Sequence, residues 1–173
     1  MQTRASRTAK PKPAGPTGTA YDAALRYLGH RQRSVSEIHR HLRGKKFDEE
    51  AIAATIDKLR AQRYVDDEAF ARYWLEQRER FRPRGDRGIR MELAQKGVSR
   101  DVIDVVLGER APDADIEQAK KALSRPMTRW ATLTAPERKR KIHTYLAARG
   151  FSYGTIEEVI RASVEDVEDD DSR

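Results

Sequence analysis

The sequence predicts an all-α protein made of three tandem three-helix repeats, forming an elongated or curved array. Two observations predict this fold. Between residues 20 and 163 proline and glycine are sparse, whereas Ala, Leu, Glu, Arg and Lys, which favour helices, are plentiful. One pattern of five apolar residues also occurs three times, with the same spacings of four, five, five and four residues. The three sets are Ile38, Leu42, Phe47, Ile52 and Ile56; Ile89, Leu93, Val98, Ile103 and Leu107; and Ile142, Leu146, Phe151, Ile156 and Ile160.

The spacing places a junction between the second and third helices of each repeat. A step of four residues puts two apolar side chains on one helical face, and a step of five crosses to the next helix. A good N-cap residue follows the middle apolar residue in each repeat: Asp48, Ser99 or Ser152. The apolar residues that flank each cap would form a hydrophobic staple, which sets the angle between the two helices.

Other residues mark where helices end and begin. Gly97 and Gly150 stand where a left-handed residue would end the second helix of its repeat. The first repeat has Lys46 at that place, so we expect a differently shaped turn there. Ser34–Glu37 and Thr134–Glu137 are capping boxes that would open the second helices of repeats one and three.

A further helical segment precedes each pair of helices and completes the repeat. These segments are Tyr21–His30, Glu68–Arg80 and Ile116–Ser124. The predicted organisation is a disordered basic arm (1–20), repeat one (21–65), repeat two (66–111), repeat three (112–163) and a disordered acidic tail (164–173).

Motifs for catalysis are missing from the sequence. It has no cysteine, which excludes disulfides and Cys-based zinc sites, and it has no P-loop, dinucleotide fingerprint or Gly-x-Ser-x-Gly elbow. Asp66, Asp67 and Glu68 could act as acid–base carboxylates, but the start of a helix explains them better. We therefore expect a protein that is not an enzyme and has no cofactor or metal site. Without a signal peptide or a membrane-spanning stretch, we expect it in the cytoplasm.

The basic residues are the main candidates for function. The chain has a net charge of +7 and a pI of about 9.8, which favours a polyanionic partner. Arginines are concentrated between residues 78 and 90, and from Arg80 to Arg84 they alternate with Phe81 and Pro83. In an extended segment this alternation would put the arginines on one side, suited to phosphates or carboxylates. The candidate partner- or nucleic-acid-binding residues are Arg78, Arg80, Arg82, Arg84, Arg87, Arg90, Lys45, Lys96, Arg149, Lys139, Arg140 and Lys141.

A tandem helix-turn-helix DNA-binding protein is the alternative. In that class the N-terminal end of the recognition helix faces the bases. Here the corresponding helix starts carry carboxylates, as in Asp48-Glu49-Glu50, which phosphates would repel. Sequence-specific readout by these helices is therefore disfavoured.

Three stretches carry a family resemblance: Tyr64-Val-Asp-Asp-Glu-Ala-Phe-Ala71, Gly85-Asp-Arg-Gly-Ile-Arg-Met-Glu-Leu-Ala-Gln-Lys-Gly-Val98, and Lys139–Ile142 with Arg149–Phe151. Together they resemble the RecX family, whose members regulate the recombinase RecA. Position 88 is glycine, where the family often has arginine. The resemblance spans about residues 21–163 and implies the same three-repeat fold.

The resemblance also implies a function and partners. The protein would be a monomer that docks on the RecA–single-stranded DNA filament, and it would inhibit strand exchange, ATP hydrolysis and coprotease activity. In that role it would act in the control of DNA repair, recombination and the SOS response, contacting single-stranded DNA directly or through the filament, with no membrane partner.

Overall fold

The computed structural model describes the backbone of residues 18–168 and the side chains of residues 18–163. Within that range the chain forms nine helices and no strand, which confirms an all-α fold of three consecutive three-helix repeats. The helices are α1 (Ala20–Leu28), α2 (Val35–Gly44), α3 (Glu49–Ala61), α4 (Asp67–Phe81), α5 (Asp86–Gln95), α6 (Arg100–Gly108), α7 (Ala114–Trp130), α8 (Ala135–Ala147) and α9 (Tyr153–Glu168). None of them is long and apolar enough to cross a membrane, judged over the same residues.

Each repeat buries its own hydrophobic core, formed by three consecutive helices. Fourteen of the fifteen apolar residues that define the repeat pattern are buried, and the other, Phe47, is half-buried. Phe70 in repeat two and the alanines Ala24 and Ala119 bring the first helices of the repeats into these cores. Burying one large apolar side chain stabilises the folded state by about 1.5–3 kcal/mol, so the residues of the spacing pattern contribute substantially to the stability of each repeat.

The helix caps follow the predicted pattern. The side chains of Asp48, Ser99 and Ser152 accept backbone N–H groups of the helix that follows, at 2.7, 3.4 and 3.1 Å. The capping boxes at Ser34 and Thr134 are also formed. These bonds satisfy amides that a helix start otherwise leaves without a partner.

The prediction of a different turn in repeat one is wrong. Lys46 has φ 71°, close to the 78° of Gly97 and the 79° of Gly150. In all three repeats the residue after the left-handed one donates to a carbonyl five residues earlier; in repeat one the Phe47 N–H donates to Leu42 at 3.3 Å. This bond and the buried apolar residues around it hold a lysine in a conformation that costs about 1–2 kcal/mol relative to the right-handed region.

Two boundaries differ from those expected for the tails. Gly18, Thr19 and Ala20 are ordered, because Thr19 and Asp22 form a capping box that opens α1. At the other end α9 continues to Glu168, since residues 164–168 contain no glycine or proline that would end a helix. The rest of the predicted arm and tail, residues 1–17 and 169–173, lies outside the described residues.

The first helix of repeat three is longer than predicted. It was expected over Ile116–Ser124, but α7 runs from Ala114 to Trp130 and contains Pro126. Proline usually ends a helix because it lacks an N–H and its ring crowds the preceding turn. Here the ring of Pro126 is buried, and Met127 and Trp130 continue the apolar face into the third core.

The repeats join head to tail through the ends of their second helices. At the first junction Ser34 Oγ donates to the Lys96 carbonyl at 2.6 Å, and the Val35 N–H donates to Asp67 Oδ1 at 2.9 Å. At the second junction the corresponding bonds run from the Gly85 N–H to the Arg149 carbonyl at 3.2 Å and from the Asp86 N–H to Asp115 Oδ1 at 3.0 Å. At each junction the start of one second helix donates to a free carbonyl at the end of the next second helix, through the Ser34 hydroxyl at the first junction and the Gly85 amide at the second. The amide that follows, of Val35 or Asp86, donates to a carboxylate. The helices α2, α5 and α8 therefore follow one another along the array.

The two junction carboxylates share an electrostatic property. Burial raises the pKa of Asp67 above its ordinary value, although the Val35 N–H partly opposes this effect. Burial likewise raises the pKa of Asp115, against hydrogen bonds from Thr155 and the Asp86 amide. Both carboxylates are thus held in places that disfavour their charged form.

Candidate interaction site: a basic cavity between repeats two and three

A cavity of about 740 Å³ lies where repeat two meets repeat three. Its walls come from the C-terminal half of α4, the loop after α4, the middle of α7 and the C-terminal end of α8. No carboxylate belongs to this wall within the described part of the chain. Seven cationic side chains line it: Arg78, Arg80, Arg82, Arg84, Lys121, Arg125 and Arg149.

Two of these arginines are anchored by Glu92, a residue of α5 that is 13% exposed. Arg78 Nε lies 2.7 Å from Glu92 Oε2, and Arg84 Nε lies 2.8 Å from Glu92 Oε1. The indole of Trp74 also donates to Glu92 at 2.8 Å, and the Arg78 guanidinium lies 4.4 Å from the centre of the Trp74 ring. Arg78 and Arg84 are therefore fixed in position with part of their charge compensated.

Four cavity arginines make no ion pair with any residue that the structure describes: Arg80, Arg82, Arg125 and Arg149. Arg149 has only uncharged partners, since it donates to the Tyr145 carbonyl at 3.1 Å and stacks 3.4 Å from the centre of the Tyr145 ring. Lys121 donates to the Glu79 carbonyl. The cavity therefore has a surplus of positive charge that an anionic ligand could neutralise.

The backbone around Arg80 differs from the extended segment that the alternation of residues suggested. Helix α4 continues to Phe81, so Arg78 and Arg80 are helical, and the chain leaves the helix at Arg82. The arginines do not form one side of a strand. Two of them come from the last turn of a helix and two from the loop that follows, where the chain bends at Arg82.

The other predicted site residues lie away from the cavity. Arg90 is paired with Asp104, while Arg87 is exposed on α5. Lys96 is 18% exposed, bonds to Glu37 at 3.0 Å and lies 4.1 Å from the centre of the Trp74 ring, which makes it part of the first junction. The remaining candidates, all exposed, are Lys45 at the end of α2 and Lys139, Arg140 and Lys141 on α8.

Lys121 and Arg125 were not among the sequence-based candidates. They are four residues apart on α7, and Arg129 continues the same spacing, so a helical periodicity of cations marked this face in the sequence. The density of arginines between residues 78 and 90 was the stronger signal. Only the packing of repeat three against repeat two brings the two groups together.

The second junction, which holds the cavity walls together, is fastened by a buried arginine. The side chain of Arg110 is 7% exposed and contacts three carboxylates: Glu79 at 3.0 Å, Asp86, and Asp115 at 3.8 Å. These carboxylates belong to α4, α5 and α7, so one guanidinium joins both repeats. At Gly88 the backbones approach closely, because an added Cβ would lie under 3.0 Å from the Arg149 carbonyl oxygen.

Comparison with known proteins identifies the repeats. Residues 20–59, 66–107 and 113–160 match the models of the first, second and third three-helix domains of RecX. A regulatory protein RecX of Chlorobium phaeobacteroides is 34% identical over 143 residues, which cover 82% of this chain and 91% of the relative. One from Geobacillus thermodenitrificans is also 34% identical, but the match spans about half of that longer protein, 51%.

Solved structures agree with the sequence matches. The crystal structure of RecX from Lactobacillus salivarius superposes with a TM-score of 0.74 at 24% identity, over 83% of this chain and 93% of that one, which shows the fold. A crystal structure of a regulatory protein RecX gives a TM-score of 0.73 at 30% identity, over 81% of this chain and 70% of that one. The chain belongs to the RecX family of regulatory proteins.

Proposed function

We propose that this protein binds the RecA–single-stranded DNA filament and inhibits its recombinase, ATPase and coprotease activities. It would thereby act in the control of DNA repair, recombination and the SOS response. The supporting observation is the basic cavity between repeats two and three, together with membership of a family of regulatory proteins. The filament displays phosphates and protein carboxylates, and arginines bind both through paired hydrogen bonds.

The protein acts in this proposal by occupying a surface, so it needs no catalytic group, cofactor or metal of its own. It would work as a monomer in the cytoplasm, where the filament forms. Its main contacts would be Arg80, Arg82 and Arg125, whose side chains make neither an ion pair nor a hydrogen bond with any described residue. Arg87, Lys45 and the exposed cations of α8 would add weaker, salt-screened attraction at a distance.

The test is the single-stranded-DNA-dependent ATPase of the cognate RecA, titrated with this protein. The triple variant Arg80→Ala, Arg82→Ala and Arg125→Ala should raise the concentration for half-inhibition at least tenfold. A control with the same loss of charge replaces three exposed arginines of repeat one, Arg26, Arg40 and Arg60. Circular dichroism should show equal helical content in both variants. Equal inhibition by both would reject the cavity as the contact site, and no inhibition by the unmodified protein would reject the proposed function.

A second candidate is a protein that binds DNA directly, without the recombinase. It is favoured by a cavity that seven cations line without a carboxylate. The carboxylates of Asp48, Glu49 and Glu50 at the start of α3 still oppose base readout by that helix, so the binding would not depend on sequence. Nuclease treatment separates the two candidates, because RecA captured only through bound DNA would be lost from a pull-down.

A further inference from the structure

We propose that the cavity between repeats two and three is a binding site for single-stranded nucleic acid, in which Phe81 stacks on a base and Arg80, Arg82 and Arg125 hold the flanking phosphates. The inference rests on the proposed function only in taking a nucleic acid as the relevant polyanion. It adds a site, a mode of binding and a preference for a single strand.

The first argument is an aromatic ring in an otherwise cationic wall. Phe81 is the last residue of α4, lines the cavity and is 63% exposed. A phenylalanine exposed to this degree loses apolar burial in the free protein, and none of the three cores uses its ring. Arg80 lies 5.1 Å from the centre of the ring. The guanidinium lies over one face of this exposed ring. Single-strand-binding proteins combine aromatic rings, on which bases stack, with cations that hold the phosphates.

The second argument is the arrangement of charge. Arg78 and Arg84 are anchored to Glu92, whereas Arg80 and Arg82 alternate with Phe81 and Pro83 at the helix end. Arg125 faces them from α7, across the boundary between the repeats. A ring and several guanidinium groups in one cavity wall suit a sugar–phosphate backbone, which carries a charge on each side of every base. An acidic peptide would use the same cations but would leave Phe81 unused.

The third argument concerns whether the nucleic acid is single-stranded or a duplex. Bases in a duplex are stacked on each other, so a ring in the wall of a cavity cannot reach a base face there. A single strand can turn a base out and insert it. A volume of about 740 Å³ lies in the range of pockets that enclose small organic ligands, so the cavity can take a base with its sugar and phosphate.

The experiment uses the full chain without RecA. Binding of fluorescent dT15 is followed by anisotropy at several salt concentrations, alongside an abasic strand of the same length and charge. Phe81→Ala should weaken dT15 binding at least fivefold and leave abasic-strand binding unchanged. The control Met91→Ala removes another exposed apolar side chain, 56% exposed on α5, and should change neither. The logarithm of the dT15 affinity should fall linearly with the logarithm of the salt concentration, with a slope of about 0.7 per phosphate contact. The triple variant Arg80→Ala, Arg82→Ala and Arg125→Ala removes three contacts and should reduce this slope by about 2.

Three results would overturn the inference. Equal affinity of the unmodified chain for dT15 and the abasic strand would exclude stacking. Competition by polyglutamate of matched charge at the same concentration as dT15 would identify an acidic peptide as the fitting ligand. An unchanged dT15 affinity in Phe81→Ala would place the strand elsewhere. If the chain binds no DNA but still inhibits the RecA ATPase, this inference fails while the proposed function stands.

Discussion

Replacing Gly88 by alanine should open the junction between repeats two and three. Gly88 lies in the first turn of α5, buried against the backbone of Arg149 and Gly150. A Cβ at this position would lie under 3.0 Å from the Arg149 carbonyl oxygen and 3.3 Å from its carbonyl carbon. These are backbone atoms, so they cannot rotate away as a side chain would. The two backbones must separate by about 1 Å to bring this Cβ and the carbonyl oxygen to ordinary contact.

The expected cost follows from three effects. Inserting a methyl group into a packed contact costs about 1–3 kcal/mol. Separation also weakens the bond from the Gly85 N–H to the Arg149 carbonyl, 3.2 Å long, for about 1 kcal/mol more. Alanine recovers about 0.5–1 kcal/mol over glycine inside a helix. The net free energy of unfolding should therefore fall by about 2 kcal/mol.

The assay is hydrogen exchange of backbone amides combined with urea unfolding. In Gly88→Ala the amides of Gly85 and Asp86 should exchange faster, while those inside the core of repeat one keep their protection. Gly108→Ala is the matched control, because Gly108 ends α6 and a Cβ there meets nothing within 4 Å. It should be neutral or slightly stabilising. If Gly88→Ala also proves neutral, with unchanged exchange at Asp86, the close packing of the two backbones does not hold the repeats together.

Two further predictions concern buried carboxylates. Glu92→Gln should lower the free energy of unfolding, measured in urea, by about 1–2 kcal/mol, because Arg78 and Arg84 lose a carboxylate that is 13% exposed. The control Glu117→Gln, whose partner Lys120 is half-exposed, should change this free energy by less than about 0.5 kcal/mol. Equal effects of the two variants would refute the anchoring role of Glu92. Burial raises the pKa of Asp67 in the folded state, so the folded protein binds this proton more tightly than the unfolded chain does. Its stability therefore falls as pH rises from the ordinary aspartate pKa of 3.8 through the raised folded-state pKa. Asp67→Asn keeps an acceptor for the Val35 N–H and should flatten that decline in urea titrations between pH 3 and 7; a decline as steep as in the unmodified protein would exclude Asp67 as its source.

The cores could be predicted from the sequence because their contacts are local and periodic. Ile38 and Leu42, or Ile52 and Ile56, are one turn apart, and the cap between the two pairs sets the angle of the helices. The same reasoning fails where tertiary packing overrides a local preference. Lys46 takes the left-handed conformation that glycine adopts most easily. Pro126 stays inside α7, where it is buried.

The candidate site was predicted in part for a related reason. A dense run of arginines is visible in the sequence, and Arg78, Arg80, Arg82 and Arg84 do line the cavity. Lys121 and Arg125 are about forty residues away in the chain and reach it only through the contact between repeats. That contact depends on backbone atoms, such as the carbonyls of Lys96 and Arg149, which every residue provides. In the sequence, the contact between repeats is therefore marked only by small residues where the two backbones approach each other.

The dependence of the cavity on the junction has a thermodynamic consequence. The arginines of α4 and Arg125 of α7 face the same volume only while repeats two and three are in contact. A ligand that contacts both groups binds the closed junction more tightly than an open one, and so it stabilises the closed form by linkage. Conversely, Arg110, Gly88 and Asp115 should contribute to the affinity for such a ligand without contacting it, because they hold the two walls together. In the proposed site, the residues that join the repeats are thus as important as the cations that line the cavity.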